Sequence, residues 1–266
     1  MRIPIFQVDA FTETLFGGNP AAVCPLDAWL PDATLQAVAA ENNLSETAFF
    51  VRDGGDFWLR WFTPGAEVPL CGHATLASAF VIMTLLEAGR DAVTFHTLSG
   101  PLKVVPDSDG FAMTLPRKTL GPVTPPAGLP EALGGAPAEW LAGEREYVAV
   151  YESEAQVQAL TPDIRAFATF DRSYVIATAP GERTDFVLRF FAPAVGVDED
   201  PVTGSAQCTA APYWSGRLGK DTLTCHQASA RGGLLHSTVL PDAVRVSGSC
   251  VLYLEGSIVV PRGRNG

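Results

Sequence analysis

Three stretches of the chain carry residue types that could do chemistry. Glu46 stands between Ser45 and the run Thr47-Ala48-Phe49-Phe50. An apolar setting raises a carboxyl pKa, and a carboxyl tuned to roughly 6–7 can both take and return a proton near neutrality. The competing reading is an exposed glutamate at a strand end. Cys71-Gly72-His73 brings a thiol and an imidazole close in sequence. Neighbours at a helix start point in different directions, so a Cys/His nucleophile is not expected there. Asp198-Glu199-Asp200-Pro201-Val202-Thr203-Gly204-Ser205 sets three acids just ahead of a second helix start. An acidic cap on the helix dipole contributes about 0.3–1 kcal/mol and calls for one acid, not three. A Ser205/His73/Asp200 hydrolase triad lacks a Gly-x-Ser-x-Gly elbow. His96, His226 and His236 fall in strand-like runs and read as structural or surface histidines, and no metal site is expected.

The elements that must position these residues follow from the apolar pattern. The run Ala74 to Leu86 carries no charge and ends before Gly89. A helix apolar all round is a buried helix. Its first turn, with Gly72, His73 and Thr75, leaves backbone N–H groups open, and such a terminus suits an anion. The arrangement recurs at Gly204-Ser205-Ala206, which lies 132 positions after Gly72-His73-Ala74. Ser99-Gly100-Pro101-Leu102 faces Arg231-Gly232-Gly233-Leu234, also at 132, and Arg60-Trp61-Phe62-Thr63-Pro64 faces Arg189-Phe190-Phe191-Ala192-Pro193 at 129. Ala33, Gln36 and Ala37 face Ala155, Gln158 and Ala159 at 122. Four ordered blocks with slowly drifting offsets describe a duplicated unit, with a site in the cleft between the copies.

Around these blocks the pattern predicts a strand over 3–10, a short strand over 21–24, a helix from Pro31-Asp32 to about Asn42-Asn43 and a hairpin turning at Gly54-Gly55. Strands follow at 92–97, 101–105 and 111–115. The stretch 118–145, with prolines at 122, 125, 126, 130 and 137, reads as the linker. Pro212 lies inside the second buried helix, where a kink is expected. The first copy is 1–117, with a C-terminal strand at about 257–266 that can return to it; linker and second copy fill 118–256. Several strands per buried helix make an α+β pattern rather than a strictly alternating parallel one.

The totals narrow the function classes. The 266 residues suffice for one large or two ordinary domains, and 47% hydrophobic content is that of a globular protein. A net charge of −11 argues against nucleic acid or an anionic membrane as partner. No signal peptide is read at Met1-Arg2-Ile3-Pro4, and the run at 74–86 is too short to span a bilayer. Five scattered cysteines without a Cys-x-x-Cys pair fit a reduced, cytoplasmic setting.

Phe-x-Gly-Asn-Pro at 16–20, Asn43-Leu44-Ser45-Glu46-Thr47-Ala48-Phe49, Arg60-Trp61-Phe62-Thr63-Pro64, Leu70-Cys71-Gly72-His73-Ala74-Thr75 and Glu199-Asp200-Pro201-Val202-Thr203-Gly204-Ser205-Ala206 resemble the PhzF, or phenazine biosynthesis-like, family. The resemblance covers nearly the whole chain. It implies the diaminopimelate-epimerase-like fold, two pseudosymmetric domains that each wrap a curved, mostly antiparallel sheet around a central helix. It also implies that Glu46 is the acid/base, with His73, Asp200 and Ser205 around the substrate. Related epimerases use two opposed cysteines; here Thr203 stands where Cys71 would need its partner. Gln227-Ala228-Ser229 followed by Arg231-Gly232-Gly233 departs from the Gly-Arg-Pro ending of phenazine-pathway members. The expectation is a cytoplasmic, homodimeric isomerase that needs no cofactor or metal and shifts a proton within a small carboxylate-bearing metabolite. Asn19, Ser45, Cys71, Gly72, Thr203 and Gly204 complete the substrate-contacting set. The alternatives are a binding protein without turnover and a Cys71-dependent epimerase.

Overall fold

The structure is a computed structural model that describes residues 1–261. It divides into two compact units: Met1–Thr114 together with the chain from Ser247 on, and Leu115–Val246. The sequence division places its boundaries at 117/118 and 256/257. The expected strand at 257–266 lies partly outside the described residues. The strand seen there is Cys250–Val259.

In the first unit, Arg2–Ala10 pairs antiparallel with both Cys250–Val259 and Asn19–Leu26. Asn19–Leu26 runs parallel to Glu46–Asp53, which turns back antiparallel into Asp56–Phe62. Asp56–Phe62 runs parallel to Val93–Thr97, and two antiparallel pairings through Gly100–Asp107 reach Gly110–Pro116. The second unit repeats these senses in the same order. Glu139–Ala142 pairs antiparallel with Glu146–Val150, which runs parallel to Tyr174–Pro180, which pairs antiparallel with Phe186–Ala192. That strand runs parallel to Thr222–Gln227, followed antiparallel by Gly233–Val239. The fold is therefore the expected α+β one, two pseudosymmetric domains of mostly antiparallel sheet with a buried helix in each. The strand Glu139–Ala142, paired with Gly121–Pro122 on one side and Glu146–Val150 on the other, falls inside the stretch read as linker, because it is short and closely flanked by Pro137 and Gly143. The ladders also correct one register. Thr97 faces Gly100 and Gln227 faces Gly233, so Gly233, not Gly232, is the counterpart of Gly100. The turn holds two residues in the first copy and five in the second.

Each copy ties its central strand down with the same fork. Arg60 donates from Nε and Nη2 to the two oxygens of Glu67, both at 2.7 Å, and from Nη1 to Asp32 at 2.9 Å. Arg189 does the same to Glu199, both at 2.8 Å, and reaches the Leu160 carbonyl at 2.8 Å. Each guanidinium also lies 5.1 Å from a ring centre, Phe62 in one copy and Phe191 in the other. Two parallel N–H···O bonds per pair fix geometry as well as charge.

The helix Gly72–Phe80 is enclosed, every residue from Gly72 to Ala79 being buried. Thr75 and Ser78 donate to the carbonyls of Cys71 and Ala74, at 2.5 and 2.7 Å, so neither hydroxyl needs water. The helix continues as a π-helical segment, Val81–Leu86, but burial ends at Met83. Leu85 and Leu86 are exposed, which corrects the reading of the whole run as interior. In the second unit the helix Gln207–Leu218 runs through Pro212. Proline has no N–H for the Cys208 carbonyl, and Lys118 N–H takes that carbonyl at 2.9 Å.

Replacing a core side chain of the first helix tests this packing. Leu76 is fully buried, so Leu76→Ala is expected to cost about 2–5 kcal/mol. The measurement is a lowered urea midpoint with an unchanged m-value.

Candidate active site

The start of the first buried helix gathers five of the residues singled out in the sequence, Asn19, Glu46, Cys71, Gly72 and His73. His73, in the first turn, is 4% exposed, and its Nε2 lies 3.2 Å from Oε2 of Glu46, itself 15% exposed. Glu46 begins the strand Glu46–Asp53, whose parallel register sets it beside Ala21, two residues after Asn19. Asn19 is fully buried, and its Nδ2 lies 3.1 Å from Nδ1 of His73. Gly18 makes that approach possible: its φ is +61°, and a Cβ there would sit 2.2 Å from the Ala10 carbonyl oxygen. An amide nitrogen can only donate, so Nδ1 accepts and the imidazole proton sits on Nε2, facing the Glu46 carboxylate. Burial pulls the His73 pKa down to about 3. A carboxylate at 3.2 Å works in the opposite direction, and the desolvation of a fully enclosed ring outweighs it. His73 is held neutral, with Nε2 beside the carboxylate.

Cys71 differs from expectation. Its Sγ lies 3.5 Å from His73 Nδ1, so thiol and imidazole turn toward each other although only Gly72 separates them. Cys71 holds the extended N-cap position (φ −144°, ψ 116°), which swings its side chain back over the first turn. Glu46, Cys71 and His73 are residue types that hold transition metals, and their ligand atoms lie within 4.8 Å of one another. The thiol faces Nδ1 and the carboxylate faces Nε2 of the same ring. No side chain caps the helix start, and the amides of its first turn stay available to an anion. Ser45 sits in the bend that leads into Glu46 and is half-buried.

The second unit brings Asp200, Thr203, Gly204 and Ser205 into one turn. Thr203 donates from Oγ1 to Oδ2 of Asp200 at 2.5 Å. Gly204–Ala206 forms a short 3₁₀ turn into Gln207–Leu218, with Gly204 buried and Ser205 exposed. Both helix starts are braced alike. Ser99 Oγ donates to the Pro69 carbonyl at 2.7 Å, and Ser229 Oγ to the Pro201 carbonyl at 2.8 Å. One residue at this turn is not among the site residues expected from the sequence. Gln227, fully buried, binds the turn through both ends of its amide. His96, His226 and His236 each face a side chain away from these turns, Asp56, Glu154 and Thr224 respectively.

The family profile described as "Phenazine biosynthesis-like protein" matches residues 8–256. This chain belongs to the PhzF family. A Pseudomonas aeruginosa protein named "uncharacterized isomerase" is 50% identical over 258 residues, 97% of this chain and 99% of that one. A Halalkalibacterium halodurans protein of the same designation is 39% identical, over 98% and 100% of the two chains. The crystal structure of a PhzF-family phenazine biosynthesis protein from Enterococcus faecalis superposes with a TM-score of 0.94 at 41% identity, over 97% of this chain and 100% of that one.

The buried imidazole makes the stability of this PhzF-family protein depend on pH. The folded-state pKa of His73, about 3, lies below the unfolded value of about 6.5. The unfolded chain therefore binds the extra proton between those limits, and stability present above pH 6.5 is lost as pH falls through that window. Urea unfolding at pH 4.5 is expected to give about 2–3 kcal/mol less stability from this residue than at pH 7.5. His73→Asn is expected to flatten that part of the profile.

Proposed function

We propose that this protein is an isomerase that moves a proton within a small carboxylate-bearing metabolite, with Glu46 as its single acid/base. The observation that carries the proposal is Glu46 Oε2 at 3.2 Å from Nε2 of a buried, neutral imidazole. A neutral imidazole beside the carboxylate adds no counter-charge to hold it ionised, which suits a group that must give back the proton it takes. Glu46 takes a proton from one carbon and returns it to another on the same face. The anion formed in between is stabilised by backbone donors at Gly72 and His73. One such donor supplies about 2.7–4 kcal/mol at a transition state. The related proteins named isomerases, similar over nearly their whole lengths, support this reading. Asp200, Thr203, Gly204 and Ser205 are assigned to recognition of the same substrate on the strength of the duplication.

The thiol at 3.5 Å from His73 Nδ1 favours one second reading, an epimerase that depends on Cys71. A two-thiol scheme needs an opposed cysteine at the position held by Thr203, whose hydroxyl is engaged with Asp200.

Two substitutions separate these readings in a metabolite screen run in deuterium oxide. Glu46→Gln keeps size and hydrogen bonding but removes the base. Turnover and carbon-bound deuterium are expected to fall together by roughly 10²–10⁴-fold while ligand binding persists. Turnover at the parental rate would rule out the mechanism. Cys71→Ser is expected to retain most activity; a loss of about three orders of magnitude with the fold intact would select the thiol epimerase instead.

A further inference from the structure

The two helix starts share the same serine brace but differ in what the neighbouring strand supplies. Arg60 and Arg189 are counterparts 129 apart, so Trp58 and Val187 are counterparts too. Trp58 faces His96 across its parallel ladder, and Val187 faces His226. His96 therefore corresponds to His226, and the next residues, Thr97 and Gln227, correspond to each other. Thr97 serves its own hairpin: its hydroxyl donates to the Gly100 carbonyl at 2.6 Å and accepts from Ser99 N–H at 3.1 Å. Gln227 instead reaches across to the turn before the second helix. Its Oε1 accepts from Thr203 N–H at 2.8 Å, and its Nε2 donates to the Asp200 carbonyl at 2.7 Å and to Thr203 Oγ1 at 3.1 Å.

These bonds have a direction. Nε2 of an amide only donates, so Thr203 Oγ1 accepts there, and its own proton turns to Oδ2 of Asp200 at 2.5 Å. The proton order is Gln227 N–H to Thr203 O–H to the Asp200 carboxylate. A brace for the turn alone already exists in Ser229 on Pro201, as Ser99 on Pro69 does in the other copy. What Gln227 adds is control of one hydroxyl and, through it, one carboxylate.

We infer that Gln227 is a positioning residue of the second unit, which aims the Thr203 hydroxyl at Asp200 and so orients the Asp200 carboxylate toward substrate. The inference rests on the proposed reading in which Asp200 meets the substrate. Its chemistry is that of a fully satisfied buried amide, where losing one member leaves the others misdirected.

The test compares Gln227→Leu, Gln227→Glu, Thr203→Val, Thr203→Ser and the double change Gln227→Leu/Thr203→Val. Two readouts are taken: hydrogen exchange at the Thr203 amide, and turnover of the metabolite that the deuterium screen identifies. In Gln227→Leu the Thr203 amide is expected to exchange at least tenfold faster and kcat to fall at least tenfold. Gln227→Glu keeps the acceptor for that amide but not the donor to the hydroxyl. It is expected to preserve slow exchange while losing kcat, a split that a merely structural residue would not produce. Thr203→Ser keeps the hydroxyl and is expected to keep the slow exchange of the amide at position 203. Once Thr203→Val has removed the hydroxyl, adding Gln227→Leu is expected to change kcat by less than about twofold. Independent, multiplying effects in that pair, or unchanged Thr203 exchange in Gln227→Leu, would overturn the inference. Parental turnover in Glu46→Gln would sink the assigned base and leave the Gln227–Thr203 comparison readable on the same substrate. An absence of any turned-over metabolite would sink the isomerase reading, and with it the substrate-directed part of this inference. Exchange would then still decide the clamp.

Discussion

A helix without a polar face has to be enclosed, and much of this architecture answers that requirement. Gly72–Phe80 offers water nothing along its buried length, so strands of the first unit pack around it. Enclosing the helix also encloses its first turn. Amides that would otherwise meet solvent then lie beside whichever side chains the neighbouring strands supply. The strand starts at Asn19 and Glu46 supply an amide and a carboxylate. The polar cluster at His73 is thus a by-product of where a buried helix begins, and the helix dipole favours negative charge there.

Within that enclosure the polar groups are few and each limits the others. Asn19 fixes which ring nitrogen of His73 carries the proton, and the ring in turn presents that proton to Glu46. In the second unit Gln227, Thr203 and Asp200 form an analogous directed chain from different residue types. The duplication preserved the scaffold, visible in the Arg60–Glu67 and Arg189–Glu199 forks, while the side chains at the helix starts diverged. Thr97 and Gln227 show that divergence at a single equivalent position.

The duplicated architecture was legible because its marks are local. Arg60-Trp61-Phe62, the glycine-led helix starts and the Ser99 and Arg231 blocks recur in order, and each contains short-range signals of strand, cap or turn. The residues that the PhzF resemblance singled out gather, in each unit, at the start of its buried helix. What escaped was set by distant partners or by backbone detail. Gln227 bonds to residues 24 and 27 positions away, which no spacing rule links. The Cys71 thiol turns toward His73 because of the extended N-cap backbone. Glu139–Ala142 is too short, and too closely flanked by proline and glycine, to show an alternation of its own.

The first unit is discontinuous: Cys250–Val259 pairs along nearly the full length of Arg2–Ala10, and the Met1 amino group donates to the Val260 carbonyl at 2.6 Å. The second unit is a single uninterrupted stretch nested inside it. During synthesis the nested unit has all its strands before the outer one does. The sheet that carries Glu46 waits with one edge of Arg2–Ala10 unpaired until the last strand arrives. An open edge of apolar alternation is a hazard for mispairing, and the interval is set by the length of the inserted unit. The order of the chain thus makes completion of the outer sheet a late, long-range event, of the kind that slows folding.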